Sequence, residues 1–115
     1  MISFNHRFHG HGSLRYVYKN GQAVRSRLVT VKYTPNAHRK HSRFSVVVSK
    51  KVHKGAVGRN RIRRRIYEII RKDIPRFKSP HDVVVLVFSS ELMTMPAPEL
   101  EECVHQLFDQ AGLYK

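Results

Sequence analysis

Residues 83–88 read Val-Val-Val-Leu-Val-Phe, six consecutive positions without a polar side chain. A strand covered on one face alternates apolar and polar residues, so a run that never alternates belongs to a central strand buried on both faces. The run is too short for the roughly 18 or more apolar residues of a membrane span, and no segment is expected to cross one. Whatever else the chain forms has to cover both faces of this strand.

The remaining segments supply that cover. Leu14, Val17 and Tyr18 fall at i, i+3 and i+4, with Ser13 as the N-cap and Asn20-Gly21 as the stop of a short helix. Residues 27–34 alternate, Leu28, Thr30 and Lys32 pointing one way and Arg27, Val29, Val31 and Tyr33 the other. A polar connection over 35–42 leads to a second strand at 43–49, and the two are expected to pair as a long-looped hairpin. A basic loop with two glycines, 50–58, opens a helix over 59–74. That helix places Ile62, Ile66, Ile69 and Ile70 on one face and Asn60, Arg64, Tyr67 and Arg71 on another. A last helix over 98–111 carries Leu100, Cys103, Val104, Leu107, Phe108 and Ala111 as its packing stripe. The order helix, two or three strands, helix, strand, helix makes an α+β sandwich. At 115 residues it is one domain, residues 13–115, preceded by an irregular arm over 1–12. His6, His9 and His11 in that arm have no partnering carboxylate or thiol and are not read as a metal site.

Charge then narrows the partner. The chain holds 22 Lys and Arg against 8 Asp and Glu, and all but one of the basic residues lie in the first 81 positions, opposed there only by Glu68 and Asp73. The final 34 residues are net acidic, so an anion-binding surface has to come from the earlier part, and so one-sided an excess points to nucleic acid. A single cysteine, Cys103, excludes an intrachain disulfide and a thiolate zinc cluster. With no apolar stretch of a secretory signal at the start, a cytoplasmic location is expected.

The densest signal runs from Ser49-Lys50-Lys51 through Lys54, Gly55 and Gly58 to Arg59-Asn60-Arg61 and Arg63-Arg64-Arg65. Glycines let the backbone approach a phosphate at a helix N-terminus, where free N–H groups favour an anion. The arginines that follow are forked donors suited to phosphate oxygens and able to stack on bases. The spacing G-x-x-x-x-G-K-[ST] is absent, so nucleotide hydrolysis is not expected. Two carboxylates in the basic region are also too few for a self-sufficient metal-dependent nuclease. On composition alone, a general RNA-binding module such as a ribosomal protein or RNA chaperone fits as well.

A strand ending in Ser49-Lys50-Lys51 followed by an Arg59-Asn60-Arg61 helix closely resembles the signature of the bacterial ribonuclease P protein component. The likeness extends over roughly residues 13–114, through the first helix and its Lys19-Asn20-Gly21 turn, the strand before the motif, the buried strand and the last helix. The resemblance implies an αβββαβα sandwich with a left-handed β-α-β crossover, of the ribosomal protein S5 domain 2-like class. It implies a subunit that assists a catalytic RNA in removing the 5′ leader of precursor tRNA, with Mg²⁺ in the RNA-containing holoenzyme, no cofactor on the protein, and no catalytic residue of its own. Its partners are then ribonuclease P RNA and the precursor tRNA 5′ leader, with no membrane and no small-molecule substrate. Lys50, Lys51, Lys54, Arg59, Arg61, Arg64 and Arg65 are implied to contact the RNA subunit. Asn60 and Arg63 are implied to line the leader cleft, opposite an aromatic side formed by Tyr18, by Leu14 where an aromatic is frequent, and by Lys32 or Tyr33, which face opposite ways. Tyr67 stands at a position often basic in the family and is counted with the leader residues. For Tyr18 and Tyr33, core packing is the competing reading.

Overall fold

The apolar run forms the strand β4 (His81–Val87) of a four-stranded sheet, flanked on both sides by other strands. One neighbour is β2 (Val29–Pro35), antiparallel, and the other is β3 (Arg43–Val48), parallel. β1 (Gln22–Arg25) completes the order β1-β2-β4-β3, and α1 (His11–Asn20), α2 (Ala56–Asp73) and α3 (Ala97–Gln110) make the element order αβββαβα. This is the α+β sandwich expected, in a computed structural model that describes residues 11–36, 41–78 and 80–114. Of the arm read over 1–12, residues 1–10 with His6 and His9 lie outside the described residues, as do 37–40 of the polar connection, and residues 11–12 belong to α1 instead.

The expected hairpin between 27–34 and 43–49 does not form, because β4 lies between those two strands. Pairing them directly would leave β4 on an edge, with one row of its backbone groups unpaired beside apolar side chains; insertion satisfies both rows. The hairpin is instead β1–β2, closed by Ser26, whose N–H donates to the Val29 carbonyl at 2.9 Å while its Oγ accepts from the Val29 N–H at 3.1 Å. The helix α2 then joins β3 to β4, its parallel neighbour, in a β-α-β crossover.

Register divides the sheet into two faces. Val29, Val31, Phe44, Val46, Val48, Val83, Val85 and Val87 pack against α2 and α3, meeting Ile62, Ile66, Ile69 and Ile70 from one helix and Leu100, Val104, Leu107 and Phe108 from the other. Each such side chain, fully buried, contributes about 1.5–3 kcal/mol. The opposite face carries Val84, buried beneath α1 together with Val17. On that same face Arg43 donates from Nε and a terminal nitrogen to the two carboxylate oxygens of Asp82, at 2.8 and 2.6 Å, and Asn36 donates to one of them at 2.9 Å. The chain's end is fastened under α3, where the Tyr114 hydroxyl donates to Asp73 Oδ2 at 2.8 Å. Burial is the main cause, and Asp73 a second one, that pushes the Tyr114 phenol far above its ordinary pKa.

Three of the boundaries that differ from the sequence reading bear on the site. α1 starts at His11, so Ser13 is inside the helix and is not its cap. α2 starts at Ala56 with Gly55 as N-cap, three residues before Arg59. Gly58 there is a helical residue, buried against the His53 ring, which an added Cβ would meet at 2.3 Å. Phe88, the last residue of the apolar run, falls outside β4 and is 57% exposed.

Candidate nucleic-acid interface

The face of the sheet under α1 gathers part of the proposed leader side. α1 comes down onto β2 at Gly21, whose N–H donates to the Val17 carbonyl at 2.8 Å. A Cβ there would lie 2.5 Å from the Val17 carbonyl oxygen and 3.0 Å from that of Tyr33, so only glycine permits this close approach. The helix thereby buries Val17, half-buries Leu14 and leaves Tyr18 37% exposed at its edge. Burial raises the Tyr18 phenol pKa, so the ring remains neutral at physiological pH.

Register also places Lys32 and Tyr33 on opposite faces of the sheet. Lys32 pairs with Ala23 and Val84, on the α1 face, where its Nζ donates to the Tyr18 carbonyl at 3.3 Å and stands 5.7 Å from the centre of the Tyr18 ring. Tyr33 pairs with Val83 on the opposite face, packs against the α2–α3 core and donates its hydroxyl to Gln22 at 3.0 Å. The structure therefore joins Lys32, and not Tyr33, to Tyr18. Tyr67 is half-buried on α2. Its ring packs against the core, and its hydroxyl accepts the Val46 N–H at 3.1 Å, satisfying a donor on the outer strand β3.

The cationic segment is more ordered than its composition suggests. Lys50, Lys51 and Lys54 are exposed on the loop between β3 and α2. Arg59 folds back across that loop, donating to the carbonyls of His53 and Lys54 at 2.9 and 2.7 Å, while the Gly55 N–H donates to His53 Nδ1 at 3.1 Å. One turn on, Arg63 donates to the Asn60 side-chain oxygen, which brings the two implied leader residues together on α2. Arg64 is exposed.

Arg61 and Arg65 turn toward the segment before α3. Arg61 donates from Nε to the Met93 carbonyl at 3.0 Å, and Arg65 donates to the carbonyls of Leu92, at 2.6 Å, and Met95. The half-buried Arg65 thus serves both terminal nitrogens to its own fold, whereas exposed Arg61 keeps its terminal nitrogens available. The two carboxylates of the basic region are also engaged. Glu68 accepts from Arg71, which lowers the Glu68 pKa, and Asp73 accepts from Tyr114 with Arg76 3.6 Å and His105 2.7 Å away. Among the described residues, no group of three or more His, Cys, Asp and Glu could hold a metal ion, and no helix is long and apolar enough to cross a membrane.

One surface residue escaped the sequence reading. Phe88 was read as the end of a buried run, yet it follows the last residue of β4 and is exposed. Its two serine successors, Ser89 and Ser90, were the only signal that burial stops there.

These features have counterparts in known proteins. Residues 3–112 match the family model described as Ribonuclease P. The ribonuclease P protein component of Synechocystis is 35% identical over 97 residues, spanning 84% of this chain and 77% of that one. That of Coxiella burnetii is 38% identical over 99 residues, spanning 84% and 77%. Among solved structures, a ribonuclease P protein of Staphylococcus aureus superposes with a TM-score of 0.85 at 24% identity, over 96% of this chain and 98% of the other. The one from Thermotoga maritima gives 0.76 at 23%, over 88% and 94%. The two structural likenesses share the sandwich, and the sequence matches carry the kinship: the chain belongs to the ribonuclease P protein family, the protein subunits of the ribonucleoprotein endoribonuclease that matures tRNA 5′ ends.

Proposed function

We propose that this subunit holds the unpaired 5′ leader of precursor tRNA on the sheet face beside α1, and meets ribonuclease P RNA through the loop before α2 and the cationic side of that helix. The observation that carries the first half is Tyr18: a neutral, part-exposed ring with the Lys32 ammonium at its side, on the one sheet face not occupied by the main core. Such a ring stacks on a base, and the ammonium meets a neighbouring phosphate. Leu14 adds apolar contact on the same helix, and the Asn60–Arg63 pair supplies polar groups from α2. For the second half, Lys50, Lys51, Lys54 and Arg64 are the exposed cations, with Arg59 bracing the loop and Arg61 offering its terminal nitrogens.

Hydrolysis belongs to the RNA in this reading. Glu68 and Asp73 are committed to Arg71 and to Tyr114, so the basic surface offers no carboxylate set for Mg²⁺, which we assign to the RNA-containing holoenzyme. A lone free cysteine, Cys103, suits a reducing cytoplasm.

The Tyr18→Ala subunit, assembled with ribonuclease P RNA, is expected to bind leader-bearing precursor about 1–3 kcal/mol more weakly and mature tRNA unchanged. Tyr18→Phe, which keeps the ring, is expected to bind like the parent. Equal losses for precursor and mature tRNA would mean that Tyr18 serves packing and not the leader.

A further inference from the structure

Gly58 and His53 are fitted to each other. The glycine is buried near the start of α2, and a Cβ on it would lie 2.5 Å from Nδ1 and 2.6 Å from Nε2 of the His53 ring. The space that a glycine at this position offers to a phosphate is thus filled by the chain's own imidazole. From that seat Nδ1 stands 3.1 Å from the Gly55 nitrogen and 3.2 Å from the Gly55 carbonyl oxygen. It accepts from the N–H when unprotonated and donates to the carbonyl when protonated, so the ring is tied to the N-cap of α2 in either state. Gly55 has no side chain of its own to cap the helix.

The ring closes a loop that charge alone would spread. Lys50, Lys51 and Lys54 are exposed on residues 49–55, Arg59 follows, and no carboxylate occurs over 49–65 to gather them. What holds the loop is packing and backbone bonding. Val52 packs against the core and its N–H donates to the Ser49 carbonyl at 3.1 Å. Arg59 reaches back to the carbonyls of His53 and Lys54, and the His53 ring rests on α2. A backbone presents phosphates at set spacings, and cations already arranged to meet them avoid the ordering cost of binding.

We propose that His53 is a positioning residue for RNA docking: seated on Gly58, its ring holds Lys50, Lys51 and Lys54 in the arrangement that ribonuclease P RNA meets, and does not touch the RNA itself. The proposal rests on the docking surface given above for this loop. It also accounts for a glycine, a poor helix former, inside α2.

The test measures affinity for ribonuclease P RNA over a range of salt, and melting, for the parent, His53→Ala, His53→Asn, Gly58→Ala and the His53→Ala, Gly58→Ala double variant. A chain with Lys50→Ala, Lys51→Ala and Arg64→Ala serves as the reference for lost phosphate contacts. Gly58→Ala displaces the ring while favouring the helix, so its melting temperature should stay at or above the parent's. Its affinity should nevertheless fall about tenfold, what ordering the backbone of about one residue is worth. The line of log affinity against log salt should shift in parallel, because every cation remains. His53→Ala should behave alike, and the double variant should lose no more than either single one. His53→Asn, whose side-chain oxygen accepts from the N–H two residues on, should keep more affinity than His53→Ala.

Parent affinity in both Gly58→Ala and His53→Ala, with the slope flattened in the triple-cation variant, would leave the docking surface standing and remove His53 from it. Losses that add in the double variant would show that ring and glycine act separately and overturn the proposal. A flattened slope in His53→Ala would overturn it too, since the imidazole would then meet a phosphate itself. A triple-cation variant that binds like the parent would overturn the docking surface and this proposal together.

Discussion

Arg43→Met is expected to destabilise the protein by about 3–5 kcal/mol, a large share of the total stability of a domain this size. Arg43 and Asp82 are 4% and 5% exposed and joined by two hydrogen bonds, so removing the guanidinium leaves in the interior a carboxylate that has lost its counter-charge and still accepts from the neutral Asn36 amide. The cost is that of an uncompensated buried charge, not the net worth of the pair. Arg43→Met combined with Asp82→Leu is accordingly expected to recover most of the loss, because two apolar side chains of similar volume need no partner. Urea denaturation of the two variants and the parent checks this: a double variant as unstable as the single one would contradict the assignment. Arg43→Lys is expected to fall between them, since an ammonium cannot reproduce the bidentate fork.

The second large effect concerns assembly. Lys50→Ala, Lys51→Ala and Arg64→Ala in one chain remove three exposed cations and no internal hydrogen bond that the structure displays. Each lost phosphate contact takes about 0.7–0.9 from the slope of log affinity against log salt, so binding to ribonuclease P RNA should weaken most at low salt and flatten by about 2–3 in slope. Arg65→Ala is the instructive contrast. Its donors serve the Leu92 and Met95 carbonyls, so its substitution should lower the melting temperature and leave the slope near the parent value. A steep loss of slope on Arg65→Ala, with unchanged melting, would return that residue to the RNA surface.

That contrast marks the limit of what spacing reveals. The helical period identified the Ile62, Ile66, Ile69 and Ile70 face and the stripe on α3, because a core-facing helix writes its burial into every third or fourth residue. It also set the arginines on the other side of α2, but not where their guanidiniums go: Arg61 and Arg65 meet carbonyls 27 to 32 residues along the chain. Strand existence was legible in the same way, from alternation in β2 and its absence in β4. Strand order was not, since placing β4 between β2 and β3 is a long-range choice made by the backbone's need for partners on both edges. Alternation put Lys32 and Tyr33 on opposite faces; which face α1 would cover is settled only by its descent at Gly21. Phe88 shows the same gap in reverse. Composition does not mark where a buried strand ends and its next residue turns to solvent.

The central claim is that the protein reads the leader and does not merely bind RNA. The most direct measurement compares the affinities of precursor and mature tRNA for ribonuclease P RNA with and without this subunit, at one fixed salt and Mg²⁺ concentration. The account expects the subunit to tighten binding of the precursor well beyond that of the mature tRNA, and expects the difference to vanish with Tyr18→Ala. Equal tightening of both, or none, would contradict it and leave a general RNA-binding surface in its place.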